Sequence, residues 1–376
     1  MDWSGLVVGA VLGAIVGIVI QSMMFPSLES HFRERRARAR YRATNEAWGA
    51  IERLHPRLVL VQAGWGPDGF FPAGTVTLRL GEPFVLDARL SRGLRQPHAD
   101  RWSEEGFTDG EQVGTSAFTI IRTSDVGGDE LDARSHHLQL KVHSYQYFDF
   151  LATHRLRLEG TDAERLVLDD VVGIPNPQSP VVGFPNPCSV GLSMFCESGG
   201  QLVLSRRSTN SASGGHWEGG KVYNAVGEGA ALRDFHVALD GSQQSTPEVI
   251  AKRGIYEELG LAPEEIEACV LKIHSFAWAT DLLDHKFFGV AISPLSSSEV
   301  QARWTAATDR SEADGALLDI RPARSREDCR AILSTIRGNP EDWAPEATFS
   351  TVRSLLCLGR IGERDLLHVF GRPRGR

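Results

Sequence analysis

The chain has 376 residues, with 40 Lys and Arg against 48 Asp and Glu, 38 glycines, 18 prolines and 5 cysteines. That composition excludes a collagen, a disordered acidic tail and a disulfide-dense secreted module, and it is long enough for roughly two or three domains of about 100 to 200 residues. Cys188, Cys196, Cys269, Cys329 and Cys357 form no CxxC pair, and their odd number fits reduced thiols, with neither a disulfide frame nor a structural zinc expected.

No charged side chain stands between Trp3 and Leu28. Gly5 to Phe25 would make a helix of about 31 Å, which matches a hydrocarbon core of about 30 Å, so residues 1–28 are expected to form one transmembrane helix. Arg33, Arg35, Arg36, Arg38, Arg40 and Arg42 follow it; removing residues 33–42, with six arginines and one glutamate, takes the formal charge from −8 to −13. Positive charge after the apolar stretch places the N-terminus outside and the rest in the cytoplasm, as a single-pass protein of the inner membrane. Gly5, Gly9, Gly13 and Gly17 fall at four-residue spacing on one face. Such a face lets helix backbones approach closely in lipid, and it points to self-association within the bilayer.

Residues 29–55 read as a basic juxtamembrane segment and a helix, interrupted at Pro56. From 56 to 173 the pattern is β-rich, with strands expected over 57–61, 75–80, 84–90, 115–122 and 138–148. No cluster in that region carries recognisable chemistry. The Pro-rich stretch 174–187 reads as a boundary, after which 174–376 is expected to form a second unit.

Beyond the boundary, strands over 189–196 and 201–204 lead through glycine-rich loops to Gly227-Glu228-Gly229. Ser245-Thr-Pro-Glu248 has the form of a capping box opening a helix, and Gly260 is placed to end it. Ala251, Ile255 and Leu259 recur every fourth residue as a buried stripe, while positions 254, 257 and 258 share another face. Two adjacent carboxylates, Glu257 and Glu258, beside a glycine-rich loop suit a divalent cation and a pyrophosphate, because hard oxygen ligands hold magnesium and backbone N–H groups hold phosphate.

Arg253 to Leu261, ArgGlyIleTyrGluGluLeuGlyLeu, resembles the REUxEExGU half of the Nudix box and matches it at eight of nine places. The first half matches weakly: the upstream glutamate of the motif falls at Ser245, and residues 230–241 intervene as an insertion. Gly254 stands where the family has a metal-binding glutamate. The resemblance implies an α/β fold in which a Nudix-like α/β/α sandwich with a mixed sheet follows the transmembrane helix and the β-rich region. Magnesium, with Glu257 and Glu258 as its ligands, would be weakly bound. Membrane anchoring together with a degraded metal site is similar to the membrane Nudix effectors of CBASS anti-phage systems. That similarity implies a non-catalytic sensor of a cyclic nucleotide made by a partner CD-NTase, whose output is helix assembly and disruption of the lipid bilayer. The alternative is a membrane-tethered Nudix hydrolase that cleaves a nucleoside diphosphate derivative with magnesium. No nucleic-acid polymer is expected as a partner. The nucleotide-binding candidates are Arg206, Arg207, Lys221, Gly227, Gly229 and Gly254, since the acidic remainder of the chain must meet a polyanion through local cations and backbone amides.

Overall fold

The computed structural model describes residues 58–66, 68–122, 136–169, 180–206, 220–279, 283–308 and 318–370. Among the described residues thirteen strands fall into two mixed sheets. The strands are β1 (Leu58–Ala63), β2 (Val76–Leu80), β3 (Glu111–Arg122), β4 (His136–Gln146), β5 (Cys188–Cys196), β6 (Gln201–Arg206), β7 (Val222–Asn224), β8 (Val226–Gly229), β9 (His236–Val237), β10 (Gln243–Ser245), β11 (Val270–Ala279), β12 (Asp284–Ile292) and β13 (Asp319–Pro322). The larger sheet runs β1-β11-β12-β5-β6-β13, with β7 paired to β6 and β8 to β5; the smaller runs β3-β4-β2-β10-β9. Within them β12 and β5 are parallel, as are β2 and β4.

The helices used below are α1 (Gln96–Glu104), α2 (Asp162–Asp169), α3 (Pro247–Leu259), α4 (Pro263–Glu267), α5 (Ser297–Trp304), α6 (Arg326–Gly338), α7 (Pro345–Cys357) and α8 (Glu363–Phe370). One core lies between the two sheets and takes in the α3 stripe Ile250, Ala251, Ile255 and Leu259. A second core covers the opposite face of the larger sheet with α6, α7 and α8. β5 is buried along its whole length because it serves both, with Val190, Leu192 and Met194 toward α3 and Phe195 toward α7.

The expected organisation is corrected. There is no β-rich unit followed by a separate C-terminal sandwich: each sheet draws strands from both sides of the supposed boundary. β1 pairs with β11, and β10, between the insertion and α3, pairs with β2. The region also contains helix. Asp87 caps a turn at Ala88–Leu90, and the chain continues through a wide turn at Ser91–Arg95 into α1, where residues 84–90 suggested a strand. Leu90, Leu94 and Trp102 are buried there at helical spacing. Residues 180–187 are not a solvated linker, since Asn186 is buried, its carbonyl accepts from Thr115 N at 2.7 Å, and Pro185 lies against Gly114. Among the described residues no helix is long and apolar enough to cross a membrane. The candidate span with Gly5, Gly9, Gly13 and Gly17, the arginine run 33–42 and the helix expected near 43–55 lie outside the described residues.

His154, His274 and His285 are sealed in the core. The His285 ring lies among Phe276, Phe118 and Trp278 with centroids 5.8, 5.8 and 6.5 Å away, and His154 stacks on Phe150 at 4.5 Å. Burial pushes both pKa values down to about 3. Folded, each ring stays neutral; unfolded, each takes up a proton below about pH 6.5. Their contribution is therefore complete above pH 6.5 and lost as pH falls toward 3, at about 1.4 kcal/mol per pH unit for each ring. Urea unfolding at pH 5.0 should show stability lower than at pH 7.5 by about 2 kcal/mol per histidine, with His285→Phe removing one share of that loss. Equal stability at the two pH values would contradict the burial of both rings.

Candidate functional site

Thr246 is the N-cap residue of α3, Pro247 opens it, and Gly260 ends it in the left-handed region at φ 67°. The expected capping box does not form. Ser245 belongs to β10 and is buried there, and its hydroxyl faces the Thr246 carbonyl. The strand extends the smaller sheet up to the first turn of the helix, so Ser245 is held by pairing with Leu78 rather than by capping.

Arg253 is the centre of the site. Its Nε and Nη2 donate to Asp234 Oδ1 and Oδ2 at 2.7 and 3.0 Å, a bidentate pair, and Nη2 also donates to the Gly229 carbonyl. Nη1 lies 2.8 Å from Glu228 Oε1 and donates to Glu257 Oε2 at 2.8 Å. The Arg253–Glu257 bond is the i, i+4 pairing that helix geometry allows. Burial alone would lower the guanidinium pKa, but the hydrogen bonds and charges of Asp234 and Glu228 outweigh it and hold Arg253 well above its ordinary value. Glu257 is shared with Arg233, whose Nη2 donates to both carboxylate oxygens at 2.8 and 3.1 Å. Glu258 turns elsewhere and accepts from Gly227 N at 2.7 Å.

Gly254 is buried against β8. A Cβ there would lie 2.7 Å from Glu228 Cβ and 2.8 Å from Val226 Cγ1. A glycine inside a helix costs about 0.8–1 kcal/mol relative to alanine, and the close strand is what requires it here. Glu228 thus fills the space that a side chain at 254 would need, and its carboxylate goes to Arg253.

The family resemblance implies magnesium, and the residues present do not fit it. Glu228, Asp234 and Glu257 already converge on one guanidinium, so a divalent cation would have to displace Arg253. Among the described residues no group of three or more His, Cys, Asp or Glu side chains is arranged to hold a metal ion.

Gly227 and Gly229 stand in β8 opposite Gly191 and Ser189 of β5, and with Gly254, Glu257 and Glu258 they form one continuous site. Arg206 and Lys221 lie apart from it, where β6 meets β7. There Arg206 pairs with Val222 in the ladder and donates through Nη1 to the Gly220 carbonyl at 2.9 Å. Arg207 lies outside the described residues. Sequence reasoning missed Glu228 and Asp234 as partners of Arg253. Glu228 stood in the glycine-rich loop as a spacer, and Asp234 in the insertion, whose folding back onto β2 leaves no local signal. None of the five cysteines is in a disulfide. No family model matches the chain, and no curated protein is significantly similar to it.

Proposed function

We propose that the protein binds a nucleotide through a Nudix-type site that does not hydrolyse it. The observation that carries this reading is the position of Arg253: of the carboxylates that would hold magnesium, Glu257 is paired with this internal cation, Glu258 accepts from the Gly227 amide, and Gly254 leaves no room for the third. Nudix hydrolysis draws its rate from metal-held water and metal-neutralised phosphate, and a guanidinium supplies only the charge. The hydrolase alternative needs carboxylates that face a cation from solution, and Glu257 and Glu258 face Arg253 and a backbone amide instead.

Arg206 and Lys221, where β6 meets β7, lie apart from that site and are assigned to the outer phosphates of a ligand that extends beyond it, with Arg207 beside them in sequence. The resemblance to CBASS effectors extends the reading to a cyclic oligonucleotide made by a partner CD-NTase and to assembly at the inner membrane as the output. That extension rests on the resemblance and on residues outside those described.

With magnesium or manganese, the protein should turn over no nucleoside diphosphate derivative faster than roughly 1 per second, the low end of ordinary enzymes. Calorimetry against cyclic di- and trinucleotides should show binding, weakened about tenfold in Arg206→Ala, as expected when one charged hydrogen bond is lost. Metal-dependent turnover above that rate would overturn the reading, as would failure of every nucleotide tested to bind.

A further inference from the structure

Two guanidiniums meet the carboxylates beside β8 and α3, and they are held in different ways. Arg253, 12% exposed, bonds through all three of its nitrogens, to Asp234, Glu228, Glu257 and the Gly229 carbonyl. Arg233 is 64% exposed and bonds through Nη2 alone, to the two oxygens of Glu257 at 2.8 and 3.1 Å. Among the described residues its Nε and Nη1 have no partner. The backbone that presents this side chain is nevertheless fixed. Arg233 is the middle residue of a helical turn, Leu232–Asp234, inside the insertion. Asp234 accepts from Ala231 N at 2.8 Å and is gripped bidentately by Arg253, while Leu232 and Phe235 pack against the core between the two sheets.

Glu257 does not depend on Arg233. Its Oε2 also accepts from Arg253 Nη1 at 2.8 Å, so if Arg233 turns away Glu257 keeps a charged partner one helical turn off. Arg253 has no such freedom, since its departure would leave Asp234 and Glu228 facing each other with little solvent between them. An ion pair as exposed as Arg233–Glu257 adds little to stability, and a ligand that offers the guanidinium a better fork can take it. Arg233 is thus the exchangeable cation here, and its nitrogens match the oxygens of a phosphate. Glu228, Asp234, Glu257 and Glu258 outnumber the two arginines, so the local field does not draw an anion in. A phosphate has to bond Arg233 directly, in competition with Glu257.

We propose that Arg233 receives a phosphate of the ligand and that Glu257 is its internal competitor, which holds the guanidinium until the phosphate displaces it. In the exchange Nη2 leaves the Glu257 carboxylate, which stays with Arg253, and the Arg233 fork donates to two phosphate oxygens; no proton moves and no covalent bond changes. The proposal rests on the nucleotide reading above and adds to it an inner phosphate contact, supplied by the insertion where the resembled motif relies on magnesium. It carries a consequence that a purely structural Arg233–Glu257 pair does not have: removing the charge of Glu257 strengthens binding.

The test is calorimetry of the full-length chain against inorganic pyrophosphate and cyclic dinucleotides, for wild type, Arg233→Ala, Glu257→Gln and the double variant, with thermal melts to confirm folding. Arg233→Ala should weaken binding about tenfold or more, as expected for the loss of a charged hydrogen bond. Glu257→Gln should tighten it about threefold or more, and the double variant should bind as weakly as Arg233→Ala, because the gain runs through the arginine. Unchanged affinity in Arg233→Ala overturns the assignment and leaves the nucleotide reading standing. So does a folded Glu257→Gln that binds no more tightly than wild type, or a gain that persists in the double variant and so reports charge alone. Where Glu257→Gln fails to fold, the comparison of wild type with Arg233→Ala decides. Absence of binding by pyrophosphate and by every cyclic dinucleotide overturns both.

Discussion

Arg253→Gln is expected to lower stability by about 3–5 kcal/mol, the range for removing one partner from a buried charge pair. Arg253 is bound to Asp234, Glu228 and Glu257, whose side chains are 2%, 16% and 16% exposed, so its removal leaves three carboxylates facing one another with little solvent to screen them. Arg233 still reaches Glu257, and Ala231 N still donates to Asp234, which keeps the expected loss within that range. For a domain of this size the thermal midpoint should fall on the order of 10 °C. The same variant should gain a response to divalent cations that wild type lacks. With the guanidinium gone the carboxylates become a hard-oxygen cluster, and millimolar magnesium or calcium should raise the variant's midpoint and leave that of wild type unchanged. Thermal melts with and without the cation check both parts. A variant as stable as wild type would show that Arg253 does not hold the site together.

Gly254→Glu, which places a carboxylate where the motif this helix resembles has one, should destabilise the fold by about 3 kcal/mol and confer no hydrolysis. A side chain at 254 must push aside Glu228 Cβ and Val226 Cγ1, each closer than 3.0 Å to the new Cβ, and neither atom is the free end of a flexible chain. Alanine at 254 meets the same obstacle, so its gain in helix propensity of about 0.8–1 kcal/mol should be more than cancelled. Chemical unfolding of the two variants gives the stabilities, and a magnesium-dependent phosphate-release assay gives the activity. Metal-dependent turnover in Gly254→Glu would show that one missing carboxylate, rather than the Arg253 network, separates this protein from a hydrolase.

Much of α3 was legible from residues 245–261 because its determinants are local. Gly260 ends the helix for want of a Cβ, the four-residue spacing of Ala251, Ile255 and Leu259 defines a buried stripe, and Arg253 reaches Glu257 one turn away. Strands β1 to β4 were legible for the same reason, as alternating or β-branched runs between turn residues. The first turn of α3 was misread: Ser245 has the composition of a cap, and its pairing with Leu78 depends on a strand far away in the chain. Residues 84–90 were misread as strand because a short apolar run does not by itself distinguish a strand from a buried helical turn.

What the sequence determined by itself is the helix that carries Arg253, Gly254, Glu257 and Glu258, since hydrogen bonds and side-chain spacing within one turn settle it. The tertiary structure alone decided what those residues face. β8 closes on Gly254, and the insertion folds back to set Asp234 against Arg253 and Arg233 against Glu257. Strand pairing and helix docking across such separations depend on which apolar faces can be buried together, and no local window of sequence contains that information.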